Sequence, residues 1–187
     1  IRNCDWSSDV CSSDLDETSR TAGQLLDHAM VSFRTDSLMK ETIKLDELIV
    51  DAVHRVSPIS ELRDVEIELQ TLDKVVLAGD PILIQNAVQN VLDNAIKYTD
   101  SDTTITVSLV RGKEFAEISI CDRGSGFEKS EIIHLLKRFE RGKNASGVVG
   151  SGLGLTIVDE IMRAHDGTVS LQNNIGHGAC VILSFPL

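Results

Sequence analysis

The sequence predicts an α+β protein, a two-layer sandwich in which three helices pack on one side of a mixed, mostly antiparallel sheet, preceded by a helical stub. Three observations predict it. Residues 104–110 and 115–121 alternate polar and apolar side chains on either side of Arg111-Gly112-Lys113, the pattern of a β-hairpin. Residues 168–172 and 179–185 repeat that alternation around an Asn- and Gly-rich separator at 173–178. Between the strands lie runs whose apolar residues recur at helical spacing.

Residues 1–15 stand apart. From Asp5 onward, DWSSDVCSSDL resembles the conceptual translation of a sequencing-library adapter, which makes the segment a scar to exclude from fold reasoning; otherwise it is a polar tail, disordered on either reading. Excluding it removes Arg2 against Asp5, Asp9 and Asp14 and takes the formal net charge from -11 to -9. An acidic surface of this kind argues against nucleic acid or anionic lipid as a partner. No apolar run approaches the ~18 residues that a membrane-spanning helix needs. The other two cysteines, Cys121 and Cys180, lie in apolar strand-like runs with no C-x-x-C spacing. Neither a metal site nor a disulfide framework is indicated, and a reducing, cytoplasmic compartment is expected.

Along the chain, Ala22, Leu25, Leu26, Ala29, Met30 and Phe33 form one apolar stripe on a first helix. A second helix starts at Leu45-Asp46, carries Leu48, Ile49, Ala52, Val53 and Val56, and is expected to end before Pro58. Strands are expected at 65–69 and 75–77. Asp80 is then a candidate N-cap with Pro81 at the first helical position. Further helices are expected at 129–139 and 153–165.

The helix after Pro81 carries the first chemical signal. At about 100° per residue, Asn90, Asn94, Lys97 and Tyr98 share one side, and Ile84, Val88, Val91, Leu92 and Ala95 the other. A solvated face is the ordinary reading of such a stripe. Asn has poor helix propensity, however, so two carboxamides one turn apart suggest a use. An amide oxygen is a hard, neutral ligand for magnesium, and a neighbouring lysine suits phosphates.

Glycine placement agrees. Seven of the thirteen lie between Gly124 and Gly154, in two clusters. Asp122-Arg123-Gly124-Ser125-Gly126 follows a strand and sets a carboxylate where it can accept a hydrogen bond from a base. Gly150-Ser151-Gly152-Leu153-Gly154 opens a helix, whose free N–H groups suit phosphate. Arg138, Arg141 and Lys143 lie between, as on a lid over an anion.

Taken in order, NVLDNAIKYT, DRGSGF, LKRFERG and GSGLGLTIV resemble the N, G1, F and G2 boxes of the ATP-binding domain of two-component sensor histidine kinases, within the wider superfamily of gyrase, mismatch-repair and heat-shock chaperone ATPases. The resemblance implies a Bergerat-type fold with ATP held between the helices and a lid at about 123–150. It implies that Asn94 holds Mg2+ and that Asn90, Lys97 and Tyr98 line the triphosphate. Asp122 takes the adenine amino group, Gly124 and Gly126 close on the base, and Phe139 and Arg141 belong to the lid. Gly150, Ser151, Gly152, Leu153 and Gly154 wrap the phosphates. Asn90, Lys97 and Arg141 are the implied catalytic set.

Residues 21–40 resemble the end of the second helix of the dimerisation and phosphotransfer hairpin, worded most like sensors of the tricarboxylate-transport type, which makes 16–42 that helix remnant with its linker and 43–187 the catalytic domain. None of His28, His54, His134, His165 and His177 fits a phosphoacceptor, being followed by Ala, Arg, Leu, Asp and Gly in turn, and each is expected to be a surface or packing residue. The implied function is to position Mg-ATP for γ-phosphoryl transfer to a histidine absent from this chain. The implied partners are the hairpin domain of a homodimeric parent and a response regulator, with the domain on the cytoplasmic side of a bacterial inner-membrane sensor. The alternatives are an ATP-hydrolysing clamp or a degenerate nucleotide-sensing module. Position 90 discriminates: the hydrolases resemble one another in carrying a water-activating Glu there, and this chain has Asn90.

Overall fold

The computed structural model describes residues 30–31, 33–35, 37–128, 135, 153–174 and 177–187. In chain order the elements are β1 (Glu41–Lys44), α1 (Leu45–Glu61), β2 (Val65–Leu72), β3 (Val76–Gly79), α2 (Pro81–Tyr98), β4 (Thr103–Arg111), β5 (Phe115–Cys121), α3 (Gly154–Ala164), β6 (Thr168–Asn173) and β7 (Ala179–Pro186). Five strands form one sheet in the order β2-β4-β5-β7-β6. The β2–β4 pair is parallel and the other three pairs are antiparallel, so the sheet is mixed and mostly antiparallel, as expected.

Alternation decides which face of the sheet is covered. Ile105, Val107, Leu109, Ala116, Ile118, Ile120, Val181, Leu183 and Phe185 are buried, while the residues between them, such as Thr104, Thr106, Ser108 and Glu117, are polar. The apolar face joins the buried sides of α1, α2 and α3 in one core. α2 packs against both α1 and α3, which makes it the central helix of the layer. No helix among the described residues is long and apolar enough to cross a membrane.

Three expectations are corrected. α1 does not stop before Pro58 but runs to Glu61 with that proline inside. The Ser57 hydroxyl donates to the Val53 carbonyl at 2.9 Å and that of Ser60 to Ser57 at 3.0 Å, so side chains supply bonds near the amide that proline lacks. β1 was not foreseen; it pairs with β3 from Glu41↔Gly79 to Lys44↔Val76, and only Ile43 of its four residues is buried. Finally, Cys121 and Cys180 face each other in the β5–β7 register and are joined as a disulfide. A separation of 59 residues carries no local signal for such a pair. The expectation of no disulfide framework is corrected by that pair.

Of the first helical stripe, Met30 and Phe33 are described, both exposed; Ala22, Leu25, Leu26 and Ala29 lie outside the described residues, as do 1–15 and, apart from Leu135, the helix expected at 129–139.

The start of α2 is held by Asp80. Its fully buried carboxylate accepts from Ile82 N at 3.1 Å, Leu83 N at 3.3 Å, Met39 N at 3.3 Å and Arg34 Nε at 2.8 and 3.0 Å. Its own main-chain N–H donates to His165 Nε2 at 2.9 Å, which leaves the proton of that ring on Nδ1, facing Ile161 O at 2.8 Å. His165 is thus a packing residue rather than a surface one. Burial alone pushes the Asp80 carboxyl up, but the N–H donors of Arg34, Leu83 and Met39 outweigh it and hold the group below its ordinary value.

A depressed carboxyl contributes stability that is complete above its ordinary pKa and is lost as pH falls through the lower folded value. Asp80→Ala should cost about 2 kcal/mol in urea unfolding at neutral pH, the upper range for a lost cap. Asp80→Asn keeps the cap and loses the ion pair, so its deficit should be constant above the ordinary carboxylate value and shrink as pH falls from about 4 through the lower folded value. A deficit constant across that range would show that the charge contributes nothing.

Candidate functional site

α2 begins at the Asp80 cap and ends at Tyr98, so the cap sets the rotational position of everything on its far half. Asn90, Asn94, Lys97 and Tyr98 are half-buried there, on the side away from the core residues Val88, Val91, Leu92 and Ala95. The Asn90 side-chain amide donates to Asn86 O at 2.9 Å and to Asn86 Oδ1 at 2.6 Å. That fixes the flip of the Asn90 carboxamide and turns its oxygen outward. Lys97 Nζ lies 5.1 Å from the centre of the Tyr98 ring.

The N-terminus of α3 meets this patch directly. A Cβ on Gly154 would come within 3.3 Å of both Asn90 Oδ1 and Asn94 Nδ2, so the missing side chain is what lets the helix end approach the two carboxamides. Leu153, at the cap position, is buried, and its carbonyl accepts Ile157 N at 2.9 Å. Two neutral carboxamides therefore sit beside the positive end of a helix, an arrangement that suits a metal-bound phosphate chain.

A second half is built at the end of β5. Asp122 is 7% exposed, and its Oδ1 accepts Gly124 N at 2.9 Å and Ala179 N at 3.0 Å. Its main chain is held too, by Asp122 N to Ala179 O at 2.8 Å and Asn174 Nδ2 to Asp122 O at 2.8 Å. Asp122 does cap the glycine turn, but with one oxygen only. Burial pushes the carboxyl up, against the opposing pull of the Ala179 and Gly124 N–H groups and of His177.

The Gly124–Phe127 stretch is wedged between two elements. A Cβ on Gly124 would overlap the Tyr98 carbonyl oxygen at the end of α2. Gly126, at φ 71°, lies against the Asn173 side chain. The base-side loop and the Asn-bearing helix are therefore in backbone contact, which the sequence did not reveal. Gly178 is likewise unforeseen, with φ 102° and no room for a Cβ beside Asp122 O.

The expected site residues thus fall into two described groups, Asn90, Asn94, Lys97, Tyr98, Leu153 and Gly154 in one and Asp122, Gly124 and Gly126 in the other, joined where Gly124 meets Tyr98. Phe139, Arg141, Gly150, Ser151 and Gly152 lie outside the described residues. Asn86, Asn173 and Asn174 were missed. Asn86 drew no reading of its own, and the other two fell in the separator read as a turn.

Residues 79–187 match the family of histidine kinase-, DNA gyrase B- and HSP90-like ATPases, and the chain belongs to that family. Within it, the domain is the ATP-binding catalytic domain of sensor histidine kinases. The chain is 38% identical over 110 residues to the adaptive-response sensory kinase SasA of Gloeothece citriformis, covering 58% of this chain and 28% of that protein. It is 32% identical over 169 residues to the sensor protein QseC of Salmonella typhimurium, covering 88% and 36%. Among solved structures, it superimposes on the mycobacterial sensor histidine kinase MprB with a TM-score of 0.72 at 29% identity, covering 79% of this chain and 97% of that one. The chain thus spans about a third of the length of the curated relatives it matches.

Gly124→Ala should leave the fold intact and reduce affinity for ADP at least about tenfold, because the added methyl must displace the Tyr98 carbonyl or the loop. Calorimetric titration alongside circular dichroism checks this. Wild-type affinity in the variant would show that the loop can shift without disturbing the nucleotide.

Proposed function

We propose that this chain positions Mg-ATP for transfer of the γ-phosphoryl group to a histidine on a hairpin domain of a longer sensor kinase. The observation that carries the reading is Asn90: its amide is tethered to Asn86, and its oxygen faces the start of α3. A water-activating base would have to stand here, and a carboxamide cannot take a proton at neutral pH. The γ-phosphoryl group therefore awaits a better nucleophile than water. This argues against the hydrolysing clamp.

The residues fit their proposed tasks. The Asn94 carboxamide offers an oxygen for Mg2+, which when bound neutralises phosphate charge. Lys97 and Tyr98, stacked together at the end of α2, face the triphosphate. Gly154, with Gly150, Ser151, Gly152 and Leu153, brings the helix N-terminus to the phosphates, and Arg141 and Phe139 close over them. Asp122 accepts the adenine amino group through the oxygen not used by Gly124 and Ala179. Asn90, Lys97 and Arg141 together stabilise the transferring group. Residues 16–42 carry the end of a hairpin helix and the linker after it, and that helix pairs with a second copy in the parent protein. That parent passes its phosphoryl group to a response regulator, and this domain sits on the cytoplasmic side of a bacterial inner membrane.

Incubated with γ-labelled ATP and magnesium, the chain should release phosphate very slowly and gain no acid-labile phosphohistidine. Stable label on His28 would overturn its assignment as a bystander, and rapid phosphate release would favour the clamp.

Asp122→Asn should lower ADP affinity tenfold to a hundredfold, from the roughly 1.5 to 3 kcal/mol that a hydrogen bond to a charged group supplies, and should narrow the preference for ADP over GDP. In the wild type the ionised carboxylate is the stronger acceptor for the adenine amino group, and burial raises its pKa. ADP affinity should therefore hold at neutral pH and fall on acidification, beginning above the ordinary carboxylate range. Calorimetry with both nucleotides across pH checks this, and an unchanged ADP to GDP ratio in the variant would remove Asp122 from the base site.

A further inference from the structure

We infer that Asn173 is a positioning residue for base recognition, holding the Gly124–Phe127 loop at a fixed distance from the Asp122 carboxylate; this rests on the nucleotide reading above. Residues 122–128 belong to no helix or strand. Their backbone must find partners elsewhere, and a side chain of β6 supplies two of them. Asn173 Oδ1 accepts Phe127 N at 2.7 Å, and Asn173 Nδ2 donates to Phe127 O at 2.8 Å. The carboxamide thus bonds Phe127 on both its donor and its acceptor, as a neighbouring strand would.

Only a side chain with an acceptor and a donor on one short planar group can make that pair of bonds. Aspartate keeps the acceptor but sets a second oxygen against the Phe127 carbonyl. Serine has one polar atom and cannot span both.

Sheet register gives this clamp its significance. Asn173 pairs with Ala179 across β6–β7, and the Ala179 N–H donates to Asp122 Oδ1. The residue that grips the loop and the residue that orients the candidate base acceptor are therefore opposite partners on one rung. Next in sequence, Asn174 Nδ2 donates to Asp122 O at 2.8 Å and Ala179 O at 3.3 Å, closing the same end of the sheet. Gly126 lies so close to the Asn173 oxygen that a Cβ there would stand 2.9 Å from it, which leaves the loop little lateral freedom. At its other side Gly124 is stopped by the backbone of Tyr98. The loop is thus held from two sides, and Asn173 is the hold that comes from the rung of Asp122.

The test uses the full chain and calorimetric titration with ADP and with GDP, beside thermal unfolding. Asn173→Ala should weaken ADP about five- to twentyfold, the worth of two partly solvated hydrogen bonds, and should narrow the ADP to GDP ratio because the wall opposite Asp122 is slack. Asn173→Asp should weaken ADP at least as much despite its similar size, and it keeps the question open to test if the alanine variant does not fold. A purely structural residue would lower the melting temperature and leave the affinity of the folded protein and the nucleotide ratio unchanged; that result overturns the assignment. Wild-type ADP binding in either folded variant overturns it as well. A wild-type protein that binds neither nucleotide overturns the site reading itself, which is measured before any variant.

Discussion

The Asp80 carboxylate is the constraint on which the rest of the structure depends. It is buried, ionised and surrounded by N–H groups from its own helix, from Met39 and from Arg34. A buried charge is tolerated only when such donors are complete, so the three segments that supply them cannot part without a large penalty. Its backbone adds a fourth tie, through His165 at the end of α3. The helix that begins here and the helix that ends here are thereby fixed relative to each other. The approach of Gly154 to Asn90 and Asn94 at the opposite ends of those helices is the geometric result.

The two halves of the site are made by different means. On the phosphate side, helix ends and carboxamides offer dipoles and neutral oxygens, and no described carboxylate is needed. On the base side, a strand end and a hairpin hold one carboxylate with half of its acceptor capacity already used. The contact of Gly124 with the Tyr98 backbone brings these halves together without any side chain between them. A displacement of either α2 or the loop is felt by the other at once, because there is no flexible group to absorb it.

Much of this was legible in the sequence because it is local. The β4–β5 hairpin, the Asp80 cap with Pro81 behind it and the stripe of Asn90, Asn94, Lys97 and Tyr98 each follow from spacing within about a dozen residues, which alternation, capping and helical period report directly. What was missed depends on partners distant in the chain. β1 exists because β3 lies beside it, the Cys121–Cys180 pair because β5 and β7 are neighbours, and the Asn173 clamp because a loop 46 residues earlier needs a partner. The continuation of α1 through Pro58 was obscured for another reason, since the steric rule for proline is strong and the relieving serine hydroxyls look unremarkable in a sequence. Asn86 escaped because its work is to orient another asparagine one turn away, which resembles ordinary helix polarity.

One consequence follows from the order of strands in the sheet. β5 and β7 are adjacent in space, yet the chain between them carries the segment from 129 to 152 as well as α3 and β6. That segment leaves from Phe127, gripped by Asn173, and returns at Leu153, buried beneath the start of α3. Both anchors are independent of what lies between them. Closing a connection twice as long costs only about 0.6 kcal/mol more, so the sheet, the helices and the two anchored ends make little demand on how many residues join them. The fold therefore fixes both ends of that segment on groups whose own bonds are made elsewhere in the sheet and the helix layer.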